Sequence, residues 1–290
     1  MKPPDLPPRS APRPVVVVLG SGRSGTSLLM QVLAALGLRV SEEMIEARRD
    51  NPRGFYEDAP IVRIQADLLR ALGAWPFHPL PADWLEAPCT RSAAADLATV
   101  LGQRLAGEGL WGFKDPRTAT FLPLWRQVFA AMNVTPRYVL ALREPGSVIR
   151  SFMTAYQADA ATAEAVWLAR TCDALWHTGA ACHIVHYEDW FSRGEAVARR
   201  LARFTGLDPA RAGSLPSGLL RPDLDRAGGA GTALSSPPAR ALETALAACR
   251  GDDFDRSRLL AVVAACRPDP ASSPAASDRG ASGPGADHQP

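Results

Sequence analysis

A run of four valines, Val15 to Val18, leads directly into a glycine-rich loop and then into a helical pattern. Pro14 to Gly20 predicts a buried strand, because an apolar β-branched run bounded by proline and glycine fits a strand that is covered on both faces. Gly20 to Ser24 predicts a loop, and Thr26 to Leu36 predicts a helix with leucines at helical spacing. A strand, a glycine loop and a helix in this order begin a βαβ unit, which restricts the chain to folds with a parallel sheet.

Strands and helices alternate through most of the remaining sequence. Short apolar runs predict three further strands, which are Trp111 to Lys114, Tyr138 to Leu142 and Cys182 to His186. Longer periodic segments predict helices, which are Ala59 to Leu72, Ala93 to Ala106, Phe121 to Met132, Pro145 to Tyr156, Ala160 to Trp176, Asp189 to Phe204, Ala239 to Cys249 and Arg256 to Ala265. This alternation predicts an α/β fold of the P-loop-like kind, with three α/β/α layers around a short parallel sheet.

Both ends of the chain are predicted to be disordered. Residues 1–13 contain five prolines, and residues 267–290 are mostly Pro, Asp, Ala, Ser and Gly. Neither segment has enough apolar surface to offset the entropy lost on ordering. The predicted folded domain therefore covers residues 14–266, a size that suits one large α/β domain.

Charge and composition exclude several classes of function. The net charge of +2 argues against nucleic-acid binding, which needs a strongly basic surface. The longest apolar run, Leu259 to Cys266, is too short to span a bilayer, and the N-terminus does not resemble a signal peptide. The five cysteines are odd in number and lack CxxC spacing, which favours buried thiols over disulfides or a metal site. These features predict a cytoplasmic protein without a bound metal.

The loop after the first strand carries the first chemical signal. Backbone N–H groups in such a loop, and at the start of the following helix, bind phosphate. Gly20, Gly25 and Ser27 have the spacing of a Walker A loop, but Thr26 stands where that loop has its lysine. The cation is Arg23, inside the loop, which argues against a nucleoside-triphosphate enzyme.

The segment Arg-Ser-Gly-Thr-Ser at residues 23–27 resembles the 5′-phosphosulfate loop of sulfotransferases that use 3′-phosphoadenosine 5′-phosphosulfate (PAPS). The resemblance implies that PAPS is held by a run of six residues, which are Gly22, Arg23, Ser24, Gly25, Thr26 and Ser27. It also implies that Arg23 contacts the bridging oxygen of the leaving group. A cation there acts mainly in the transition state, because charge grows on that oxygen as the S–O bond breaks.

A second motif follows the predicted strand at Tyr138 to Leu142. Arg143 ends this strand, Pro145 follows, and Ser151 lies eight residues after Arg143. Both side chains are expected near the carboxyl edge of the sheet, where ligands of open α/β sheets bind. The pattern resembles the family's 3′-phosphate motif, which implies that Arg143 and Ser151 bind the 3′-phosphate of PAPS.

Further segments resemble parts of sulfotransferases, chiefly bacterial ones. They are residues 51–58, 112–117, 186–190, 201–207 and 220–226, so the resemblance extends over residues 14–226. It implies transfer of a sulfuryl group from PAPS to a hydroxyl or amine, with release of 3′-phosphoadenosine 5′-phosphate (PAP). The acceptor is expected to be a small metabolite or a carbohydrate. The stretches expected to select it, 73–92 and 155–180, are the least patterned in the sequence.

Sulfuryl transfer needs cations for the sulfonate and a general base for the acceptor. Lys114 is the candidate cation, because the chain has 32 basic residues and its only other lysine is Lys2 in the predicted tail. A compact ammonium at a strand end suits contact with one sulfonate oxygen.

Several carboxylates are candidates for the general base. Relatives use a Glu or His after the first loop, which implies Glu57 as the base and Glu43 as the second candidate. Asp58 and Asp115 remain alternatives, since they adjoin Glu57 and Lys114. Asp58 fits a helix cap equally well.

The segment around the last predicted strand is interpreted as structural. Tyr187 is assigned no chemistry, and Glu188 and Asp189 are expected to cap the following helix. His183 and His186 lie three residues apart on a strand, so they point to opposite faces and are not expected to share a metal ion.

Two other functions stay open from the sequence. A P-loop kinase would share the sheet and the anion loop but would depend on Mg²⁺. A non-catalytic nucleotide-binding protein would bind PAP without turning over PAPS. The sequence does not indicate an oligomeric state.

Overall fold

The computed structural model describes residues 11–46, 54–216, 218–220 and 232–267. It contains one parallel sheet with the strand order β2-β1-β3-β4. The strands are β1 (Arg13–Leu19), β2 (Trp111–Lys114), β3 (Val134–Leu142) and β4 (Cys182–His186). Because all four run in one direction, the loops that follow them meet at one edge of the sheet.

Helices connect the strands and cover the sheet. They are α1 (Thr26–Ala35), α2 (Ala59–Ala71), α3 (Pro88–Leu105), α4 (Leu122–Ala131), α5 (Pro145–Tyr156), α6 (Ala160–Thr178), α7 (Asp189–Thr205), α8 (Pro237–Leu246) and α9 (Arg256–Cys266). Short 3₁₀ turns occupy Trp84–Glu86, Pro116–Ala119 and Pro209–Ser214.

The valine run of β1 explains the three layers. Successive side chains of a strand point to opposite faces. Val15 and Val17 pack into a cluster with side chains of α2, α3, α4, α6, α8 and α9. Val16 and Val18 pack on the other face against α1 and α7. All four valines are at most 1% exposed, so β1 is covered on both sides and the predicted three-layer α/β fold is confirmed.

The observed bounds differ from the predicted ones mainly at prolines. Strand β3 begins at Val134 rather than Tyr138, and Pro136 lies in the part of β3 that pairs with β1 only, where a missing N–H is tolerated. Helices α3 and α8 begin at Pro88 and Pro237 rather than at Ala93 and Ala239. Proline is accepted in the first helical turn, whose N–H groups have no partner inside the helix. The bounds of the other strands and α-helices agree with prediction to within two residues.

The C-terminal helices belong to the main core. Leu242 of α8 and Leu259 and Val263 of α9 are buried in the same cluster as Val15. Of the predicted tails, residues 1–10 and 268–290 lie outside the described residues, and Arg13 already belongs to β1. In the part of the chain that the structure describes, every helix falls short of the length or the apolar content that a membrane crossing needs.

Candidate active site

The loop between β1 and α1 combines an uncapped helix N-terminus with a buried hydroxyl. Helix α1 follows Gly25, whose φ is 82°, and no side chain caps the helix. The first N–H groups of a helix lack partners inside it and carry partial positive charge. The Ser21 hydroxyl is 1% exposed and has no hydrogen-bond partner among the described residues. An oxyanion in this loop would satisfy both the helix N–H groups and the Ser21 hydroxyl.

Position 25 needs a glycine for two reasons, which are its left-handed backbone conformation and the closeness of Tyr187. A Cβ at Gly25 would lie 2.5 Å from Tyr187 Cδ2, far inside van der Waals contact. The guanidinium of Arg143 stacks over the same ring, with its central carbon 4.6 Å from the ring centre. Tyr187 therefore lies between the two predicted cofactor motifs, a position that was not predicted from the sequence. Its place directly after a parallel strand was the signal that could have found it.

Arg23 joins the two predicted cofactor motifs directly. Its Nε donates to Ser151 Oγ on α5 over 3.0 Å. The backbone of Arg23 has φ of 72°, a left-handed conformation that costs energy in a residue with a Cβ. Residues 128 positions apart thus meet beside the loop, as expected if both contact one ligand.

Ser27 connects the loop to the segment that carries Glu57. Its Oγ donates to the carbonyl of Phe55 over 3.1 Å, two residues before Glu57. The Ser27 hydroxyl is therefore engaged in holding this segment, whereas the backbone of Ser27 belongs to the first turn of α1. Gly22, Ser24 and Thr26 lie in the same loop and helix start, with the Ser24 N–H donating to the Ser21 carbonyl over 3.2 Å.

Two predicted catalytic residues form a buried ion pair. Lys114 Nζ, at the end of β2, donates to Glu57 Oε1 over 2.6 Å, and Arg117 Nη2 lies 3.9 Å from Glu57 Oε2. Lys114 is 3% exposed and Glu57 is 7% exposed. Burial raises the pKa of the Glu57 carboxyl above its ordinary value, and the positive charge of Lys114 opposes that increase. A carboxylate with a raised pKa is a better proton acceptor than a solvated one.

Two other base candidates belong to a separate ion-pair cluster around Arg104. Asp58 Oδ1 accepts from the Ile61 N–H over 3.3 Å, which caps α2, and Asp58 Oδ2 accepts from Arg104 Nε over 2.7 Å. Glu43 pairs with the same arginine over 3.1 Å, and its side chain is 64% exposed. Among the four carboxylates considered as the base, Glu57 is the one that pairs with Lys114.

Asp115 serves to hold Arg117. One of its oxygens accepts from the N–H and from Nε of Arg117, over 2.9 and 2.8 Å. The other accepts from Gln65 Nε2 over 2.7 Å, and Asp115 is 1% exposed. This network places the Arg117 guanidinium next to the Glu57 carboxylate.

Tyr156 and Arg170 lie at the loop although no sequence motif marked them. A Cβ at Gly22 would lie 3.7 Å from both Tyr156 Oη and Arg170 Nη1. Tyr156 ends α5 and packs edge-on against Phe152, with ring centres 4.4 Å apart. Tyrosine and arginine are ordinary residues in helices, so only the packing of α5 and α6 reveals that these two reach the loop.

The expected cap of α7 by Glu188 and Asp189 is wrong. Glu188 precedes the helix with helical backbone angles, and its side chain makes no cap hydrogen bond. A cap residue needs an extended backbone for its side chain to turn back onto the helix. Glu188 Oε1 instead accepts from the Glu144 N–H over 2.9 Å, and Asp189 Oδ2 accepts from Arg193 over 2.9 Å.

The two histidines of β4 contact different groups. His183 Nδ1 lies 3.2 Å from Asp252 Oδ1, and His186 Nε2 lies 2.9 Å from the Cys249 carbonyl oxygen. In the part of the chain that the structure describes, no three His, Cys, Asp or Glu side chains are grouped as metal ligands would be.

Comparison with known proteins gives one family. A sequence model of the sulfotransferase family matches residues 14–211. The chain is similar to the solved sulfotransferase domain of the Synechococcus PCC 7002 olefin synthase, with 19% identity and a TM-score of 0.49 over 79% of this chain and 92% of that one. It is also similar to the sulfotransferase domain from the curacin biosynthetic pathway, with 19% identity and a TM-score of 0.47 over 73% of this chain and 78% of that one. No curated protein sequence matches the chain.

The family match spans more than half of the chain. It includes the loop between β1 and α1, the Arg143 to Ser151 motif and the Glu57–Lys114 pair. On this basis the chain belongs to the sulfotransferase family.

Proposed function

We propose that the protein transfers a sulfuryl group from PAPS to a hydroxyl or amine of a small-molecule or carbohydrate acceptor. The observation that carries this proposal is the 3.0 Å contact between Arg23 Nε and Ser151 Oγ. It joins the segments that resemble the 5′-phosphosulfate and 3′-phosphate motifs. A nucleotide with an anionic group on both its 3′ and 5′ sides suits such a site better than a triphosphate, whose charges lie on one side only.

The residues present fit this donor. The backbone of residues 22–27 and the unpartnered Ser21 hydroxyl would bind its 5′ end, while Arg143 and Ser151 would bind its 3′-phosphate. When bound, PAPS supplies an activated sulfuryl group, with PAP as the leaving group. Arg23 lies within the loop and would stabilise the negative charge that develops on the leaving oxygen.

The buried pair would supply the acid–base chemistry. Glu57 takes the proton that the acceptor oxygen releases as its bond to sulfur forms. Lys114 holds the Glu57 carboxylate at 2.6 Å and would supply positive charge to a sulfonate oxygen of the donor. Arg117, held by Asp115, adds a second cation beside Glu57. Charge concentrated in a buried site stabilises a transition state more than it would in water.

Labelled PAPS incubated with an acceptor panel tests this function. Turnover should continue in excess EDTA, because side-chain cations of Arg23, Lys114 and Arg117 would balance the charge. Loss of transfer in EDTA that Mg²⁺ restores would favour the kinase alternative. Tight binding of PAP without turnover of PAPS would favour a non-catalytic nucleotide-binding protein.

Arg143→Ala is expected to weaken the binding of PAP far more than the binding of adenosine 5′-phosphate, which lacks the 3′-phosphate. A charge-assisted contact to phosphate contributes about 1.5–3 kcal/mol, so calorimetry should show a loss of about ten- to hundredfold for PAP alone. Tyr187→Leu removes the ring beneath the guanidinium and should give a smaller loss in the same direction. Equal losses for the two nucleotides would remove Arg143 from the 3′-phosphate site.

We also propose a cytoplasmic location. All five cysteines are free thiols, and four of them are buried. Burial raises the pKa of the Cys172 and Cys182 thiols to about 12. Such thiols stay protonated and unreactive, which fits a chain that folds without disulfides in a reducing compartment.

A further inference from the structure

Arg170 differs from the other cations at the loop. It lies on α6, is partly buried, and its Nη1 would be 3.7 Å from a Cβ at Gly22. Lys114 pairs with Glu57, and Arg117 pairs with Asp115. Within the ranges that the structure describes, Arg170 forms neither a hydrogen bond nor an ion pair. Arg170 is therefore a guanidinium at the site with no direct ion-pair partner among the described residues, and the carboxylates of Asp115 and Glu57 act on it only from a distance.

An unpaired, partly buried cation is unfavourable for the protein itself. Burial lowers the pKa of the Arg170 guanidinium, and the positive charge of Arg117 lowers it too, although Tyr156, Asp115 and Glu57 oppose the decrease. A charge removed from water without a partner costs free energy, so such groups occur mainly where a ligand supplies the partner. A direct partner for Arg170 is thus expected on a bound anion.

The surroundings of Arg170 favour the acceptor as the source of that anion. Phe77 packs against Phe152 and Tyr156, with ring centres 4.9 and 5.7 Å apart. Phe77 belongs to the stretch 73–92, whereas Tyr156 and Arg170 belong to 155–180. These two stretches, expected from the sequence to select the acceptor, therefore meet beside Gly22. The anionic groups of the donor are already assigned to the loop and to the Arg143 motif.

We propose that Arg170 binds an oxyanion of the acceptor, a carboxylate, phosphate or sulfate. The acceptor class is then a hydroxyl compound that carries an anionic group and an apolar or aromatic part that packs on Phe77 and Tyr156. This inference rests on the proposed function, because it takes the donor site as assigned above. The same oxyanion chemistry occurs in the donor's sulfonate, so the experiment must separate these two sources.

The first arm measures binding of two matched probes to the PAP-loaded protein. 4-Hydroxyphenylacetate and its amide share a hydroxyl and a ring and differ in charge. The unmodified protein should prefer the carboxylate by about tenfold or more, and Arg170→Gln should lose that preference. Arg203→Gln, which changes an exposed arginine on α7, should keep it. An unmodified protein without the preference, or an Arg170→Gln protein that retains it, overturns the inference.

The second arm measures the affinities of the same variants for PAPS and for PAP. Arg170→Gln should change the two affinities by the same factor. A selective loss of affinity for PAPS would assign Arg170 to the donor's sulfonate and would overturn the acceptor inference. Failure of the unmodified protein to bind PAP would overturn the proposed function as well, whereas normal PAP binding without carboxylate preference overturns this inference alone.

Thermal unfolding separates recognition from a structural role. Arg170→Gln removes an unpaired charge and should leave the melting temperature unchanged or raise it, as expected for a residue retained for binding. A marked decrease in the melting temperature, together with an unchanged probe preference, would show that Arg170 supports the fold instead.

Discussion

Lys114→Met is expected to lower kcat at least about hundredfold while the protein still folds and binds PAP. PAP lacks the sulfonate that Lys114 would contact, so product affinity should change little. Methionine has a similar length and apolar stem, which preserves packing around a side chain that is 3% exposed. Single-turnover rates with labelled PAPS and calorimetry with PAP measure the two effects separately. Full activity of Lys114→Met would remove this lysine from the mechanism.

The ion pair makes a second consequence of this substitution measurable. Without Lys114, the Glu57 carboxylate remains buried without its main partner, which destabilises a protein by about 3–5 kcal/mol. Burial already raises the pKa of Glu57 above its ordinary value, and loss of the cation raises it further. The penalty should therefore be small below that ordinary pKa, where Glu57 is protonated in the folded and unfolded states, and should grow as the pH rises. Urea unfolding at several pH values measures this dependence.

Two companion variants separate charge from geometry at Lys114. Lys114→Met combined with Glu57→Gln should recover most of the lost stability and none of the activity, because the unpaired carboxylate is gone. Lys114→Arg should restore transfer only in part, since a planar guanidinium does not fit a position where the ammonium lies 2.6 Å from Glu57. A double variant as unstable as Lys114→Met would show that the pair does not account for the destabilisation.

Glu57→Gln is expected to lower kcat by about 10²- to 10⁴-fold, the usual contribution of a general base. The amide keeps the size of the side chain but cannot accept the acceptor proton. In the unmodified protein, activity should rise with pH through the pKa of Glu57, which burial places above its ordinary value. The residual activity of Glu57→Gln should lack this increase, which is the acidic limb of the pH profile. A pH profile of kcat/KM checks both statements.

Asp58→Asn is the matched control, because it changes the adjacent carboxylate. Asp58 caps α2 and pairs with Arg104, so its substitution should reduce stability much more than kcat. An acidic limb that persists in Glu57→Gln and disappears in Asp58→Asn would transfer the role of base to Asp58.

The sequence predicted those parts of the fold and site that depend on neighbours along the chain. The valines of β1, the glycine loop and the first turn of α1 are contiguous, so period and composition alone place them. Strand β3 was predicted too short because Pro136 argues against a strand, and only the partial pairing with β4 makes it acceptable. The order of the four strands depends on tertiary pairing, which no local pattern contains.

The remaining features of the candidate site depend on contacts across elements. Glu57 and Lys114 were each proposed from the sequence, but their pairing was not. It joins the residues just before α2 to the end of β2, 57 residues later in the chain. Tyr187 was treated as structural because its place after a strand indicates the edge of the sheet but not the contact with Gly25, which forms only in the folded chain. Arg170 lies in the middle of a helix without a motif, and what marks it is that no described residue forms a direct hydrogen bond or ion pair with it.

The C-terminal helices have a practical consequence for producing the protein. The family match ends at residue 211, yet α8 and α9 bury Leu242, Leu259 and Val263 in the main core. Glu164 of α6 also accepts hydrogen bonds from the Ser235 and Ser236 N–H groups, over 2.7 and 2.8 Å. A gene shortened at the family boundary would encode a chain whose apolar face is open to water, and such chains aggregate on expression. Soluble recombinant protein requires the chain to continue through α9.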